Sequence, residues 1–348
     1  MLFYRLLSTK KLSYLLFPLM LLTVSLTGCE DSDTETETQL SIDQVEKNQG
    51  GWPRSIMTSK GLLTLQQAPK RIVSTSVTLS GTLLAINAPL VASGATMPNT
   101  SVASEQGFMR QWSAIAKERG LVPLYNTEPN AEAIIQTNPD LIIISPTGGD
   151  SAMKLYEQLK DIAPTLVIGY DNKSWMQLAT IFGDILGLES QAQTVIQEFE
   201  KQVEQTKQTI QLPPQPTTAM VYYRDATGGN IWTSESAQGR LLEELGFTLA
   251  SVPDSVKGDI SMGIRNDIII ASGERFADAI TGKTVLLFSA AKDREQDLKD
   301  NSYLKSSEAI QTNQVYAVGN DTFRLDYYSA SNLLTRLTSL FGTKHDQQ

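Results

Sequence analysis

The chain carries one cysteine, Cys29, and one histidine, His345, which sits in the polar tail TKHDQQ. Imidazole and thiolate are the groups with which proteins most often grip zinc or copper. They are also the groups from which His-assisted triads and thiolate nucleophiles are built. With His345 in the C-terminal tail and Cys29 close behind the N-terminal apolar run, the body between them has neither. A single cysteine also excludes an intramolecular disulfide. Gly148-Gly149 and Gly228-Gly229 lack the surrounding spacing of a P-loop or a dinucleotide turn. These residue types argue for a protein that binds rather than one that catalyses, and for no resident metal or cofactor.

Stepping outward along the chain, Arg5, Lys10 and Lys11 precede an apolar run over 12–26 that leads into Leu26-Thr27-Gly28-Cys29. A basic start, a short apolar stretch and small residues before a cut make a secretory signal over 1–28. The run, interrupted by Pro18, is short of the roughly 20 residues needed to span a bilayer. The sequence Leu-Thr-Gly-Cys resembles the lipobox of bacterial lipoproteins, which implies that Cys29 is lipidated, palmitate included, and anchors the chain to a membrane. Residues 29–50 (CEDSDTETETQLSIDQVEKNQG) are acidic, Thr-rich and poor in apolar groups, so they read as a flexible tether. Losing the signal removes three cations and no acid, taking the formal charge from −9 to −12. So acidic a body lacks the general basic face that nucleic-acid binding requires.

From residue 71 onward, β-rich runs at 71–77, 90–93, 122–125, 141–145 and 166–170 alternate with helical periodicity at 79–86, 108–119, 131–137 and 153–162. That alternation predicts a parallel sheet with helices on its faces, an N-terminal lobe over 51–174. Residues 175–210 contain no proline, and 190–210 are mostly polar with apolar residues at Val195, Ile196, Phe199, Val203 and Ile210. This spacing predicts one long helix within a helical region at 175–211, stopped by Leu212-Pro213-Pro214. Alternation then resumes over 212–348, with strands at 218–223, 267–270, 285–288 and 315–318 and helices at 239–245 and 330–341. The sum is an α/β fold of two Rossmann-like lobes joined by a single long helix.

The halves echo one another. Asn130-Ala131-Glu132 opens a short helix before Asp140-LIIIS, and Ser272-Gly273-Glu274 opens one before Thr284-VLLFS. A carboxylate at a helix start suits the helix dipole, so capping accounts for both as readily as function does.

The stretches RIVSTSVTLSGTLLAI, GFMRQW, NAEAIIQTNPDLIIISPTGGDSA, IWTSESAQGRLLEELGFTLA and TFRLDYYSA resemble the siderophore- and cobalamin-type substrate-binding proteins of ABC importers. The likeness runs from about Trp52 to Phe341. It implies the class III periplasmic-binding-protein fold, a monomer, and a ligand held in the cleft between two lobes that close little. The implied cargo is a ferric catecholate siderophore of the enterobactin type; another iron complex, haem or a corrinoid is the alternative. Iron would then arrive inside the siderophore. Such a trianion calls for arginines and aromatic faces. The resemblance offers Arg324, Trp232, Arg110, Trp112, Tyr327, Tyr328 and Arg224, with hydroxyls from Ser76 and its neighbours Ser74 and Thr75. Where related catecholate binders carry a basic residue in the loop at 97–101, this chain has Ser101, a charge Arg224 could replace. The resemblance also implies that Glu132 and Glu274 dock to the permease, which works with its ATPase.

Overall fold

The computed structural model describes residues 41–48, 51–223, 228–257 and 266–343. It opens with an antiparallel meander of β1 (Val45–Lys47), β2 (Arg54–Thr58) and β3 (Gly61–Leu65). The N-terminal lobe follows as β4 (Ile72–Ser74), α1 (Val77–Ala85), β5 (Leu90–Ala95), α2 (Arg110–Glu118), β6 (Val122–Asn126), α3 (Ala131–Gln136), β7 (Leu141–Ile144), α4 (Tyr156–Leu159) and β8 (Thr165–Val167). Its strands form an all-parallel sheet in the order β6-β5-β4-β7-β8. Every residue of the β7 strand Leu-Ile-Ile-Ile is buried, as expected where helices cover both faces of a parallel sheet.

Two helices lead out of this lobe, α5 (Trp175–Leu186) and α6 (Glu189–Thr209). Ser174 and Gln177 form a reciprocal capping box that starts α5, and Gly187 at φ 76° ends it in the left-handed conformation. A Cβ on Gly183 would come within 2.8 Å of the Ala192 Cβ, so the missing side chain lets α5 and α6 meet closely. The 21 residues of α6 make it about 31 Å long. Its buried residues Ala192, Val195, Phe199, Val203 and Thr206 fall on one stripe at helical spacing.

The C-terminal lobe contains β9 (Thr217–Tyr223), β10 (Gly228–Trp232), α7 (Ala237–Glu244), β11 (Ile268–Ala271), α8 (Phe276–Ala279), β12 (Thr284–Leu287), α9 (Asp293–Asp300), α10 (Glu308–Gln311), β13 (Val315–Ala317) and α11 (Tyr327–Phe341). The sheet order is β11-β10-β9-β12-β13. Here β9, β12 and β13 run parallel, whereas β10 lies antiparallel to both of its neighbours. Four residues between β9 and β10 are too few for a parallel crossover, so the pair must be a hairpin. The Gly-rich start of β10, Gly-Gly-Asn-Ile-Trp, hides the strand from a propensity reading.

One buried apolar cluster runs through both lobes, from Leu79, Trp112 and Leu141 through Trp175 and Phe199 to Trp232, Leu286 and Leu333. Helix α11 belongs to the second lobe by sequence yet touches α1, α2 and α6. Gln111 Nε2 on α2 donates to Asp326 Oδ2 at the start of α11 over 3.1 Å. Parting the lobes would therefore expose core, not merely bend a linker.

The expected tether over 29–50 is too long. Val45 pairs with Ile56 in the meander. Lys47 Nζ lies 2.5 Å from Asp184 and 2.9 Å from Glu189, and Asp43 pairs with Lys173 at 2.8 Å. Composition misleads here because β1 is an edge strand, fixed by ion pairs on its polar residues rather than by burial. Cys29 and residues 1–40 lie outside the described residues, as does His345. Among the described residues, no helix is long and apolar enough to cross a membrane.

Candidate functional site

The C-terminal ends of parallel strands, where α/β folds place their ligands, form one wall of a cleft. From the first lobe come Thr75 and Thr78 after β4, Gly94 and Thr96 at β5, Tyr125 of β6, Asp150 after β7, and Tyr170 and Asp171 after β8. The facing wall is built by Asn230 and Trp232 of β10, Glu235 to Gln238 and Arg240 at α7, Asp267 and Ile268 at β11, and Phe323, Arg324 and Leu325 before α11. Thr78, Tyr170 and Arg324 are shared by the two depressions that make up the cleft.

Arg324 reaches across it. Its guanidinium carbon lies 4.4 Å from the centre of the Tyr170 ring, with the Phe323 ring at 5.8 Å. Its nearest carboxylate is Asp171, 3.9 Å away, with both side chains more than a third exposed. Asp321 is not its partner, because Asp321 pairs with Arg336. Asp326 is not either: it caps α11, accepting from Ser329 N at 2.8 Å. The cap also fixes Arg324 itself, since Ser329 Oγ donates to the Arg324 carbonyl at 3.1 Å.

The floor under Arg324 is equally fixed. Tyr170 Oη donates to Asp150 Oδ1 at 2.7 Å, and the other carboxylate oxygen accepts from Ser76 Oγ at 2.5 Å and Thr78 N at 3.1 Å. Asp150 thus occupies the N-terminus of α1 with the protein's own negative charge. Burial, then the Asp150 charge, raises the Tyr170 phenol pKa; burial does the same for Tyr125, whose hydroxyl donates to the Thr75 carbonyl at 2.9 Å. Both phenols remain protonated donors at neutral pH.

Trp232 lines the cleft almost fully buried, its ring edge-on to Phe323 at 5.9 Å between centroids. Its Nε1 has no hydrogen-bond partner among the described residues. The opposite side of that wall is held by Gln238, which donates to the carbonyls of Thr322 and Phe323 at 3.2 and 2.7 Å.

Of the residues expected at the site, Arg324 and Trp232 meet in the cleft. Ser76 does not offer its hydroxyl there: it is fully buried and spent on Asp150 while its oxygen caps α1. Ser74 bonds the Ser76 carbonyl and Thr75 lies at 3.4 Å from the Ile143 carbonyl, so the run Ser-Thr-Ser serves the strand-to-helix turn. Trp112 lies in the core against Phe108, 5.3 Å between ring centres, not on the cleft wall. An indole on the inner face of an amphipathic helix reads the same in sequence whether it faces a ligand or a core. Arg110 is exposed at the start of α2 and donates from Nε and Nη2 to the Thr100 carbonyl, fastening the loop that holds the exposed Ser101.

Tyr327 packs edge-on against Trp175 at 5.5 Å and Tyr328 at 5.2 Å. Burial pushes Tyr328 up to about 12 against the opposing charge of Arg119. Neither tyrosine lines the cleft as Phe323 and Leu325 do. Arg224 lies outside the described residues. Tyr170, Asp171, Asp150 and Phe323 escaped the sequence reading. For the first three the signal was position, since GGDSA and GYDNKSW follow parallel strands; Phe323 adjoins Arg324 in TFRLDYYSA.

Glu132 is exposed in the first turn of α3, whose cap is Asn130, accepting from Glu132 N at 2.9 Å and Ala133 N at 3.2 Å. The Glu132 carboxylate is thus not needed as the cap. Glu274 lies in the 3-10 turn Gly273–Arg275 after β11, and its side chain is outside the described residues.

Comparison with known proteins agrees with this architecture. The chain is 54% identical over 290 residues to the ferric enterobactin-binding periplasmic protein FepB of Escherichia coli O6:H1, covering 83% of this chain and 91% of FepB. It is 28% identical to the iron(3+)-hydroxamate-binding protein YxeB of Bacillus subtilis, covering 66% of this chain and 64% of that protein. Among solved structures, holo-ViuP superposes with a TM-score of 0.76 at 31% identity, covering 85% of this chain and 97% of ViuP. Staphylococcus aureus SirA complexed with staphyloferrin B shares the fold at a TM-score of 0.64 and 19% identity, covering 82% and 97% of the two chains. A family profile described as periplasmic binding protein matches residues 72–322, from the first strand of the parallel sheet to the threshold of Arg324, and the chain belongs to that family.

Proposed function

We propose that this chain is the substrate-binding component of an ABC importer and that its cargo is a ferric catecholate siderophore of the enterobactin type. The observation that carries the reading is Arg324, poised across an inter-lobe cleft among Tyr170, Phe323 and Trp232. A guanidinium can donate several bonds to catecholate oxygens at once, each worth about 1.5–3 kcal/mol to a charged acceptor. The partly exposed pair with Asp171 is worth at most about 1 kcal/mol, so an anionic ligand can replace it. Aromatic walls add contact with catechol rings, about 0.5–1.5 kcal/mol per well-placed pair beyond area burial. The 54% identity to the enterobactin-binding FepB supports the same cargo. Iron enters as cargo inside the siderophore.

Glu132 and Glu274 are the proposed contacts with the permease, one from each lobe. Cys29 is the proposed lipid anchor, holding a monomeric body at a membrane on the periplasmic side. Native mass spectrometry of the mature body tests the cargo. Incubation with a mixture of ferric enterobactin, haem and cobalamin gives a single 1:1 adduct with the ferric catecholate. An adduct with haem or cobalamin instead overturns the cargo.

A further inference from the structure

Asp171 and Arg324 belong to opposite lobes, and each is held by contacts other than the one between them. Asp171 Oδ2 accepts a hydrogen bond from Thr147 Oγ1 on the neighbouring first-lobe loop, leaving Oδ1 toward Arg324. Arg324 is fixed through its own carbonyl by Ser329 and by the face of Tyr170. The contact between the two is long, 3.9 Å, and open to solvent at both ends, 36% and 44% exposed. Neither side chain needs the other to hold its place. The second carboxylate nearby, Asp150, is consumed by Tyr170, Ser76 and Thr78. Among the described residues, Asp171 is the carboxylate within ion-pair distance of Arg324.

We infer that Asp171 is an affinity-tuning residue, a built-in counter-ion that masks Arg324 until an anionic cargo displaces it. The inference rests on the anionic cargo proposed above. A ligand bearing several oxyanions replaces the lost contact and outweighs repulsion from the carboxylate left beside it. Asp171 thus lowers affinity for ligands that engage Arg324, and its removal raises the affinity for an anionic one.

A double-mutant cycle separates this role from a structural one. Wild type, Asp171→Asn, Arg324→Ala and the double variant are titrated with ferric enterobactin at low and at high salt. Asp171→Asn binds on the order of three- to tenfold more tightly at low salt, the gain shrinks as salt screens it, and it is clearly smaller in the Arg324→Ala background, where only direct repulsion of the ligand is relieved. Weaker or unchanged binding by Asp171→Asn, or an equal gain with and without Arg324, overturns the counter-ion role while leaving the cargo intact. A wild-type chain that ignores ferric enterobactin overturns the cargo, and this inference with it.

Discussion

The Arg324 guanidinium carbon stands 4.4 Å above the Tyr170 ring although the two residues lie on opposite lobes, 154 positions apart in the chain. A cation resting on an aromatic face, with its backbone fixed by a helix cap, is oriented before any ligand arrives. Pre-orientation of this kind reduces the ordering cost of binding.

Arg324→Ala is expected to weaken ferric-siderophore binding on the order of tenfold or more, equivalent to about 1.4 kcal/mol or above. The fold stays intact, because the ion pair it loses is exposed. Arg324→Lys keeps the charge but loses the planar fork and falls between the two. Fluorescence titration beside a thermal melt checks both statements, and unchanged affinity in Arg324→Ala removes this residue from the site.

Asp326 predicts a pH dependence. Its burial raises its pKa from 3.8 to about 6, against hydrogen bonds from Ser329 and Gln111 that act in the other direction. Below the unfolded value the carboxyl is neutral in both states and carries no penalty. As pH rises toward about 6 the unfolded chain ionises more readily than the folded one, so stability falls, and the penalty is complete above about 6. Asp326→Asn keeps a good cap and removes the penalty. It should be more stable than wild type at pH 7.5, by up to about 3 kcal/mol, and the difference should largely disappear at pH 4. Denaturant melts at the two values measure it; a constant difference would mean that the carboxylate carries no such burden.

The early start of the folded body is testable by truncation. A chain beginning at Leu40 retains β1 and the Lys47 contacts to Asp184 and Glu189; against burial, Lys47, a backbone hydrogen bond and Arg54 together lower the Glu189 pKa to about 2. A chain beginning at Gly51 loses β1 and the Lys47 contacts and leaves β2 as a bare edge. It should melt several degrees lower, on the order of 1–2 kcal/mol for one lost strand edge and its exposed pairs. Equal melting temperatures would return 41–50 to the tether.

Glu132→Ala should leave ligand affinity unchanged, because the exposed side chain is not part of the cleft lining, yet reduce stimulation of the permease-coupled ATPase. Reconstituted ATPase assays read this directly, and full stimulation would assign Glu132 to solvation alone.

The parallel sheet of the first lobe was legible in the sequence because burial on both faces leaves continuous apolar runs such as Leu141–Ile144, whereas the meander strands β2 and β3 ahead of it were not read. The hairpin of β9 and β10 was not, since glycines opening β10 mask its strand character. At the site, Arg324 and Trp232 were legible as motif residues, while Trp112 and Ser76 carried the same chemical types into the core and into a helix cap. Sequence gives the type of a side chain; only the fold decides whether its polar atoms are already spent. Asp171 is the converse case, an ordinary loop acid until the lobes bring Arg324 beside it.

The central claim is best tested by the intrinsic tryptophan fluorescence of the mature body during titration with ferric enterobactin and, in parallel, a ferric hydroxamate. With Trp232 in the cleft wall, the account predicts saturable quenching by the catecholate alone at sub-micromolar concentration, much reduced in Trp232→Phe. Quenching by the hydroxamate alone, or no response to either complex, would contradict it.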